Sequence, residues 1–298
     1  MNRRGLVAFL LLTFGMTYFY EGCLIAAGVG MNFGASSKLP MAPPYAALLV
    51  GLAMWIPALS AAVVVRLVTR EGFGALNLRF GSLKPYLFSM LVVPACFFII
   101  YAVSSVFGIA SPDWQLTVFK SMLTERGMSE QAFPPATVIL PGILTASILM
   151  GPVLNGLFAF GEELGWRGYL LPRLMPLGKR KAYLIVGVIW GLWHAPLILV
   201  GFNYPGYPIL GIVAMACMTT CFGVYVNELT LRHRSVFLAA WIHGAFNGQA
   251  YGIWRLLFPD VNPIIGGFTG VVGMVTWLVV GVGLFYIAKR RNANELPR

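Results

Sequence analysis

The sequence predicts an all-α, polytopic integral membrane protein: a bundle of eight transmembrane helices with both termini in the cytoplasm. Three observations support this fold class. Only 10% of the 298 residues are charged, whereas an average soluble domain is about 25% charged. The mean hydropathy is +0.79. Apolar runs of about twenty residues, the length that crosses a bilayer core as a helix, recur along the whole chain. A soluble globular protein is therefore excluded.

Apolar runs bounded by charges, proline and glycine predict the eight spans. They cover about residues 5–27, 45–67, 86–108, 138–171, 182–201, 207–228, 235–254 and 264–288. The fourth run is too long for one straight span at about 1.5 Å of rise per residue. It therefore begins late, after Pro141 or Pro152, or it is kinked at one of these prolines.

The distribution of basic residues supports this number of spans. With a cytoplasmic N-terminus, 17 of the 21 Lys and Arg residues fall on one side of the membrane, as expected for cytoplasmic loops. The other side receives Lys38, Lys120, Arg126 and Arg255. Because topology explains the net charge of +11, basicity does not indicate a nucleic-acid partner. The whole chain, 1–298, is interpreted as a single transmembrane domain.

Two pairs of glycines have the spacing that brings transmembrane helices into close contact. They are Gly187 with Gly191 and Gly266 with Gly270. We expect both pairs to mark helix contacts, which is a structural role.

Ionisable side chains inside the apolar runs indicate where a functional site lies, because a charge at bilayer depth is costly and commonly functional. The candidates are Glu21, Glu162, Glu163, Arg167, His194, Glu228 and His243. Glu228 lies at a span end, where we expect interfacial water to hydrate it. For Glu21, near the outer end of the first span, we expect hydrogen bonds within the bundle and a structural role.

The other candidates form three short motifs on three separate spans. The motifs are Glu162-Glu163-Leu-Gly-Trp-Arg167, Trp190-Gly-Leu-Trp-His194 and His243-Gly-Ala-Phe-Asn247. Residues four apart share a helix face, so Glu163 reaches Arg167 and His243 lies one turn from Asn247. If the fourth helix continues to the Pro172 region, the three motifs meet at a common depth inside the bundle.

A carboxylate, two histidines and an amide at one depth can hydrolyse a peptide bond. Glu162 with His194 can take a proton from water as the water attacks a carbonyl. His243 and Asn247 can donate hydrogen bonds to the resulting oxyanion. Glu163 paired with Arg167 would stay charged and hold its helix in place.

The same residues allow other interpretations. Glu162, His194 and His243 could ligate a zinc ion that keeps one position open for water. A proton-coupled transporter also uses buried Glu and His residues. Taken singly, each motif is compatible with a structural role, as in a non-catalytic membrane scaffold or immunity protein.

The ordered motifs, which fall within about residues 140–250, resemble the family of CAAX prenyl proteases and bacteriocin-processing enzymes, also called the Abi family. The resemblance implies an intramembrane endopeptidase. It also implies that Glu162 is the water-activating base, that Glu163 with Arg167 is the supporting pair, and that His194 is the second catalytic group. His243 and Asn247 correspond to the residues that stabilise the oxyanion.

One position departs from the family pattern: Trp190 stands where the second motif usually begins with Phe. We expect this exchange to alter the shape of the pocket more than its chemistry. Members of the family are named metalloproteases, yet a Glu–His pair without metal also explains the residues, and we favour that interpretation over bound zinc.

The resemblance further implies a hydrophobic or prenylated peptide or protein as substrate, bound within the lipid bilayer. Eukaryotic members remove three residues after a prenylated cysteine, whereas other relatives are linked to peptide processing or bacteriocin self-immunity. Because no long N-terminal targeting segment precedes the first span, we expect a prokaryotic or minimal member that resides in the cell membrane.

Overall fold

The computed structural model describes residues 2–30, 43–125, 127–129 and 132–294. Within these ranges the chain forms α-helices, joined by turns and short 3₁₀- and π-helical segments, and no strand. The all-α prediction is confirmed. Lys38, Arg126 and Arg298, which contributed to the predicted topology, lie outside the described residues.

Four helices make up the first third of the chain. They are α1 (Arg3–Ala26), α2 (Pro44–Ala53), α3 (Ile56–Val63), which continues as a π-helical turn over Val64–Val68, and α4 (Lys84–Val106). Helix α1 begins after Asn2, whose side-chain oxygen accepts a hydrogen bond from the Gly5 N–H at 3.1 Å. This N-cap satisfies one of the amides that a helix start leaves without a partner.

The middle third contains the predicted fourth span, which is bent. Its elements follow the short helix α5 (Thr117–Thr124) and are α6 (Ala136–Leu149), α7 (Gly151–Glu163), a π-helical segment (Leu164–Leu170), α8 (Leu171–Leu174) and a 3₁₀ turn (Met175–Leu177). The two parts are bent by 46° where α6 gives way to α7. Pro152 lies in the first turn of α7, and because proline lacks an N–H it cannot continue the hydrogen-bond ladder of α6. Of the predicted alternatives, a late start or a kink at Pro141 or Pro152, the structure shows a bend next to Pro152. The helical path continues to Leu177, as the common depth of the motifs requires.

The last third carries the remaining two motifs. Its helices are α9 (Lys179–Trp193), α10 (Ala195–Leu199), α11 (Pro208–His233), α12 (Val236–Ala250), α13 (Ile253–Leu257) and α14 (Val271–Asn294). Helix α12 begins after Ser235, whose hydroxyl accepts a hydrogen bond from the Leu238 N–H at 3.0 Å.

Each of the eight predicted spans contains helix, but the helices differ in length. Four segments of the described chain are long and apolar enough to cross a membrane: Arg3–Ala26, Tyr45–Val68, Lys84–Val106 and Pro208–His233. The bent pair Ala136–Leu149 and Gly151–Leu177 makes a fifth when it is taken as one span. These segments support a helical integral membrane protein, and the number eight stays a prediction.

The pairing of α7 with α12 depends on glycine. A Cβ on Gly248 would lie 2.6 Å from the Cα of Gly151, and a Cβ on Gly244 would lie 2.4 Å from the backbone nitrogen of Gly156. No side chain fits in either space, so the two backbones can approach closely only because these positions are glycine. The close approach brings the first and third motifs together.

The predicted role of the GxxxG pairs is right for one pair and wrong for the other. On α9, a Cβ on Gly187 would lie 2.5 Å from the Cα of Thr220, and a Cβ on Gly191 would lie 2.3 Å from the Cα of Ala216. These two glycines therefore permit the close contact between α9 and α11. Gly266 and Gly270 instead lie in the turns before α14, where the chain folds back on itself and no helix pair meets.

Candidate active site

Glu162 and Glu163 end α7, immediately before the π-helical segment Leu164–Leu170. Short π-helical stretches of this kind occur frequently at functional sites. This part of the helix lies against α2 and α3: a Cβ on Gly161 would be 2.5 Å from the carbonyl oxygen of Met54. The tight packing fixes the position of the two glutamates, and both side chains are buried.

Glu162 is held by two indole groups. Its Oε2 accepts hydrogen bonds from Nε1 of Trp190 at 2.6 Å and from Nε1 of Trp166 at 3.3 Å. Trp166 lies one turn further along the same helix, whereas Trp190 belongs to α9. A phenylalanine at position 190 could not make this bond, so Trp190 changes the hydrogen bonding of Glu162 as well as the shape of the pocket.

His194 lies at the junction of α9 and α10, where Pro196 interrupts the backbone ladder because it has no N–H. In a regular helix the His194 N–H would bond the Trp190 carbonyl, but here it bonds the Gly191 carbonyl at 3.2 Å. The Trp190 carbonyl instead accepts a hydrogen bond from Nδ1 of the His194 ring at 2.9 Å. Since a carbonyl only accepts, Nδ1 carries the proton, and Nε2 of the neutral ring is left as an acceptor.

Glu163 joins the first motif to the third. Its Oε1 accepts hydrogen bonds from a terminal nitrogen of Arg167 and from Nδ1 of His243, both at 2.9 Å. The predicted pair of Glu163 with Arg167 is confirmed. The link to His243 was not predicted, nor was the bond from Nε of Arg167 to Oδ1 of Asn227 at 3.0 Å. The Arg167 guanidinium also lies 4.2 Å above the ring of Trp190. Trp190 therefore contacts Glu162 directly and the Glu163–Arg167 pair through Arg167.

Five of the predicted site residues line one cavity of about 610 Å³: Glu162, Trp190, His194, His243 and Asn247. Glu163 and Arg167 are fully buried and do not line the cavity. Glu163 contacts the lining residue His243, and Arg167 contacts the lining residue Trp190. Most of the remaining lining is apolar. It includes Leu48, Met54, Phe158, Trp193, Leu197, Phe202, Met215, Met218, Phe222, Phe246 and Phe268. The arrangement combines a carboxylate, two imidazoles and an amide with an apolar space large enough for a hydrophobic peptide segment.

The candidate zinc ligands do not form a coordination site in this arrangement. Glu162, His194 and His243 line the same cavity, but no three His, Cys, Asp or Glu side chains in the described part of the chain are placed to hold a metal ion. Nδ1 of each of these two histidines is bonded to an oxygen, of the Trp190 carbonyl or of Glu163, so Nε2 is the remaining nitrogen of each ring. Because the three side chains are not grouped for coordination, the proposed mechanism uses protein groups only.

The expectation that interfacial water hydrates Glu228 is wrong. Its side chain is 3% exposed, and its Oε1 lies 2.6 Å from Nζ of Lys179 and accepts a hydrogen bond from the Tyr183 hydroxyl at 3.0 Å. Lys179 and Tyr183 are one turn apart at the start of α9 and so face α11 together. A carboxylate at a span end is therefore covered by the neighbouring helix rather than by water.

The hydrogen bonds expected for Glu21 are not found. Both of its carboxylate oxygens are buried, and neither has a hydrogen-bond partner among the described residues. The side chain lines the same cavity as Glu162. Asn155 of α7 lines it too, with its amide donating to the Gly151 carbonyl at 3.2 Å. Glu21 was detectable as an ionisable residue in a span, whereas Asn155 is uncharged and belongs to none of the three motifs.

Comparisons with known proteins agree with the resemblance of the motifs. The family model described as type II CAAX prenyl endopeptidase Rce1-like matches residues 131–249, a stretch that contains every predicted site residue. A CAAX prenyl protease 2 of Methanococcus maripaludis is 30% identical over 129 residues, which are 43% of this chain and 40% of that protein. The chain thus matches about two fifths of the relative's length. The family prediction made from the motifs is confirmed.

Proposed function

We propose that this chain, which matches the type II CAAX prenyl endopeptidase Rce1-like family model over residues 131–249, is an intramembrane peptidase. One observation carries the proposal: Glu162, His194, His243 and Asn247, from three separate motifs, line one largely apolar cavity. A packing role for each residue would not require all four to meet at a cavity. The substrate is a hydrophobic or prenylated peptide that enters this space from the bilayer.

Glu162 and His194 activate the water molecule. Both indole bonds end on Oε2 of Glu162, so Oε1 is the oxygen that receives the proton from water. Nε2 of His194 is a second acceptor that holds the water in place. As the proton moves to Glu162, the water oxygen forms a bond with the carbonyl carbon of the peptide, and the carbonyl oxygen becomes an oxyanion.

His243 and Asn247 stabilise the oxyanion. They are one turn apart on α12 and face the cavity, so an Asn247 amide N–H and the His243 Nε2–H can donate to one oxygen. To donate from Nε2 while Nδ1 bonds Glu163, His243 carries a proton on both nitrogens, and the Glu163 carboxylate compensates that charge. When the C–N bond breaks, the proton held by Glu162 passes to the leaving amine, and the carboxylate is restored.

A metal-free mechanism is part of the proposal, because no described group of three ligands is arranged for coordination. Thorough chelation is the test. We expect the rate of peptide cleavage to stay within about twofold after chelator treatment, and loss of activity that added Zn²⁺ restores would assign a metal-dependent mechanism instead.

We propose the domain organisation, the membrane topology and the localisation together with the peptidase function. The eight helical regions form one domain of eight spans, both termini are cytoplasmic, and the protein resides in a prokaryotic cell membrane. A single large cluster of buried apolar residues that extends from Leu6 in α1 to Trp277 in α14 supports one domain. The biased distribution of Lys and Arg supports the topology.

The peptidase activity is tested with the purified protein in lipid nanodiscs, using a farnesylated CAAX peptide and an unprenylated hydrophobic reporter peptide. The chain has three histidines, which supply a matched pair of variants: His194→Ala in the cavity and His233→Ala at the end of α11. We expect His194→Ala to lower kcat by about 10²–10⁴, the usual contribution of an acid–base group, and His233→Ala to cut like the wild type.

The two peptides separate the substrate classes. Cleavage of the farnesylated peptide alone assigns a prenyl-dependent enzyme, and cleavage of both assigns a peptidase for hydrophobic segments in general. Equal rates for His194→Ala and the wild type would contradict the mechanism, and failure of the wild type to cut either peptide would contradict the function.

A further inference from the structure

Glu21 is a buried carboxylate that the mechanism does not use. Its side chain is 1% exposed, and within the described part of the chain neither oxygen has a hydrogen-bond partner. A buried polar group without a partner is costly, and a charged one more so. A bound ligand that donates hydrogen bonds to these oxygens would remove this cost.

Glu21 belongs to the same wall as the proposed catalytic groups. Thr17, one turn earlier on α1, accepts a hydrogen bond from Nε1 of Trp193 at 2.8 Å, and the Trp193 ring packs edge-on against the ring of His194 with centroids 4.8 Å apart. Residues four apart share a helix face, so this contact directs Glu21 to the cavity that His194 also lines.

The charge balance of the cavity favours a cationic ligand. Among the described residues, its lining contains two carboxylates, Glu21 and Glu162, and no Lys or Arg; the charge of the His243 ring, which also lines it, is compensated by Glu163. Two arginines lie behind the lining and already have partners: Arg167 is bonded to Glu163 and Asn227, and Arg255 reaches Asn203 and the ring of Tyr251. A positively charged group that entered the cavity would find hydrogen-bond acceptors on Glu21 and, on the aromatic wall, ring faces that favour cations.

We propose that Glu21 is the cation-binding residue of the substrate cavity and pairs with a Lys or Arg side chain of a hydrophobic peptide. This inference rests on the proposed function only in taking the cavity as the peptide site. It narrows the substrate class from any hydrophobic peptide to one with a basic residue within a few residues of the bond that is cut.

Peptide binding tests the inference without relying on cleavage. A fluorescent hydrophobic peptide, and a series in which lysine replaces norleucine at each position in turn, are titrated against the protein in phosphatidylcholine nanodiscs. The His194→Ala background prevents turnover. Glu21→Gln removes the charge and keeps the shape, and Glu71→Gln is the control because Glu71 is partly exposed and pairs with Arg173 outside the cavity.

We expect at least one lysine peptide to bind about tenfold more tightly than its norleucine parent, as a hydrogen bond to a charged group allows. Glu21→Gln should abolish this preference and leave the affinity for the parent unchanged, while Glu71→Gln keeps both. If Glu21→Gln does not fold, Glu21→Ala serves the same purpose.

The inference is overturned if no lysine peptide binds more tightly than its parent, or if the preference survives in Glu21→Gln. Its failure is distinguishable from failure of the peptidase proposal. Cleavage of the parent peptide by the wild type without any preference for lysine leaves the peptidase and removes the role of Glu21. Tighter binding of a lysine peptide that depends on Glu21, without cleavage of any peptide, would keep the role of Glu21 and remove the peptidase function.

Discussion

Two buried glutamates of this protein, Glu162 on α7 and Glu228 on α11, differ in what surrounds them. Glu228 contacts the ammonium group of Lys179 and the hydroxyl of Tyr183. Glu162 is bonded only to the neutral indoles of Trp166 and Trp190, and its side chain faces a cavity. The charge on Glu228 is therefore compensated by an ion pair, whereas the carboxylate of Glu162 remains able to accept a proton.

The difference shows that burial alone does not identify a catalytic carboxylate. Glu163 is the next residue after Glu162 and is at least as buried, yet it is fixed by Arg167 and His243. What distinguishes Glu162 is the combination of neutral hydrogen-bond donors and access to an apolar space. Substitutions at the two sites should therefore differ in their effects on stability and on activity.

The largest expected effect is on stability, from Glu163→Gln. The exchange leaves the buried Arg167 charge without its carboxylate, and breaking a buried pair costs about 3–5 kcal/mol. Glu228→Gln should cost on the order of 1 kcal/mol, because Lys179, at 35% exposure, can be hydrated when the pair is lost. Thermal unfolding of both variants in the same detergent measures the contrast, and equal losses would show that the two regions are alike.

Asn247→Ala is expected to reduce activity and leave stability nearly unchanged. Loss of one oxyanion donor typically lowers kcat by about 10²–10³. Asn155→Ala is the matched control, because Asn155 lines the same cavity but its amide already donates to the Gly151 carbonyl. A rate for Asn247→Ala within a few-fold of the rate for Asn155→Ala would remove Asn247 from the mechanism.

Gly248→Ala should have a smaller effect, on packing first and on activity through it. The added methyl would lie 2.6 Å from the Cα of Gly151, and overpacking of this kind costs about 1–3 kcal/mol. The substitution should also weaken the hydrogen bond between Glu163 and His243, because Glu163 lies on α7 and His243 on α12, and the added methyl pushes these helices apart. Gly15→Ala on α1, where a Cβ meets nothing within 4 Å, is the control and should not lower the melting temperature.

Much of this fold follows from local sequence patterns. The apolar runs locate the helices, and the missing N–H of Pro152 explains the kink in the fourth span. The spacing of four residues predicts the pair of Glu163 with Arg167. Such features depend on residues that are close in the chain, so hydropathy and helix geometry are enough to find them.

Contacts between distant segments could not be predicted in the same way. The bond from His243 to Glu163 joins residues 80 positions apart and depends on the glycine contacts that set the distance between α7 and α12. The GxxxG spacing of Gly266 and Gly270 was misleading because these residues lie in turns. Glu228 and Glu21 are both acidic residues in apolar runs, yet the packing of neighbouring helices gives Glu228 a cation, whereas Glu21 has no hydrogen-bond partner among the described residues.

The central claim is that Glu162 acts on water whereas Glu228, equally buried, serves only structure. The direct test is the rate of hydrolysis of one reporter peptide by Glu162→Gln and Glu228→Gln, with the melting temperature of each variant measured on the same preparation. The account predicts that Glu162→Gln loses about 10²–10⁴ in kcat without a large change in melting temperature, and that Glu228→Gln cuts at the rate of the wild type. Hydrolysis by Glu162→Gln at the rate of the wild type, or an equal loss in Glu228→Gln, would contradict it.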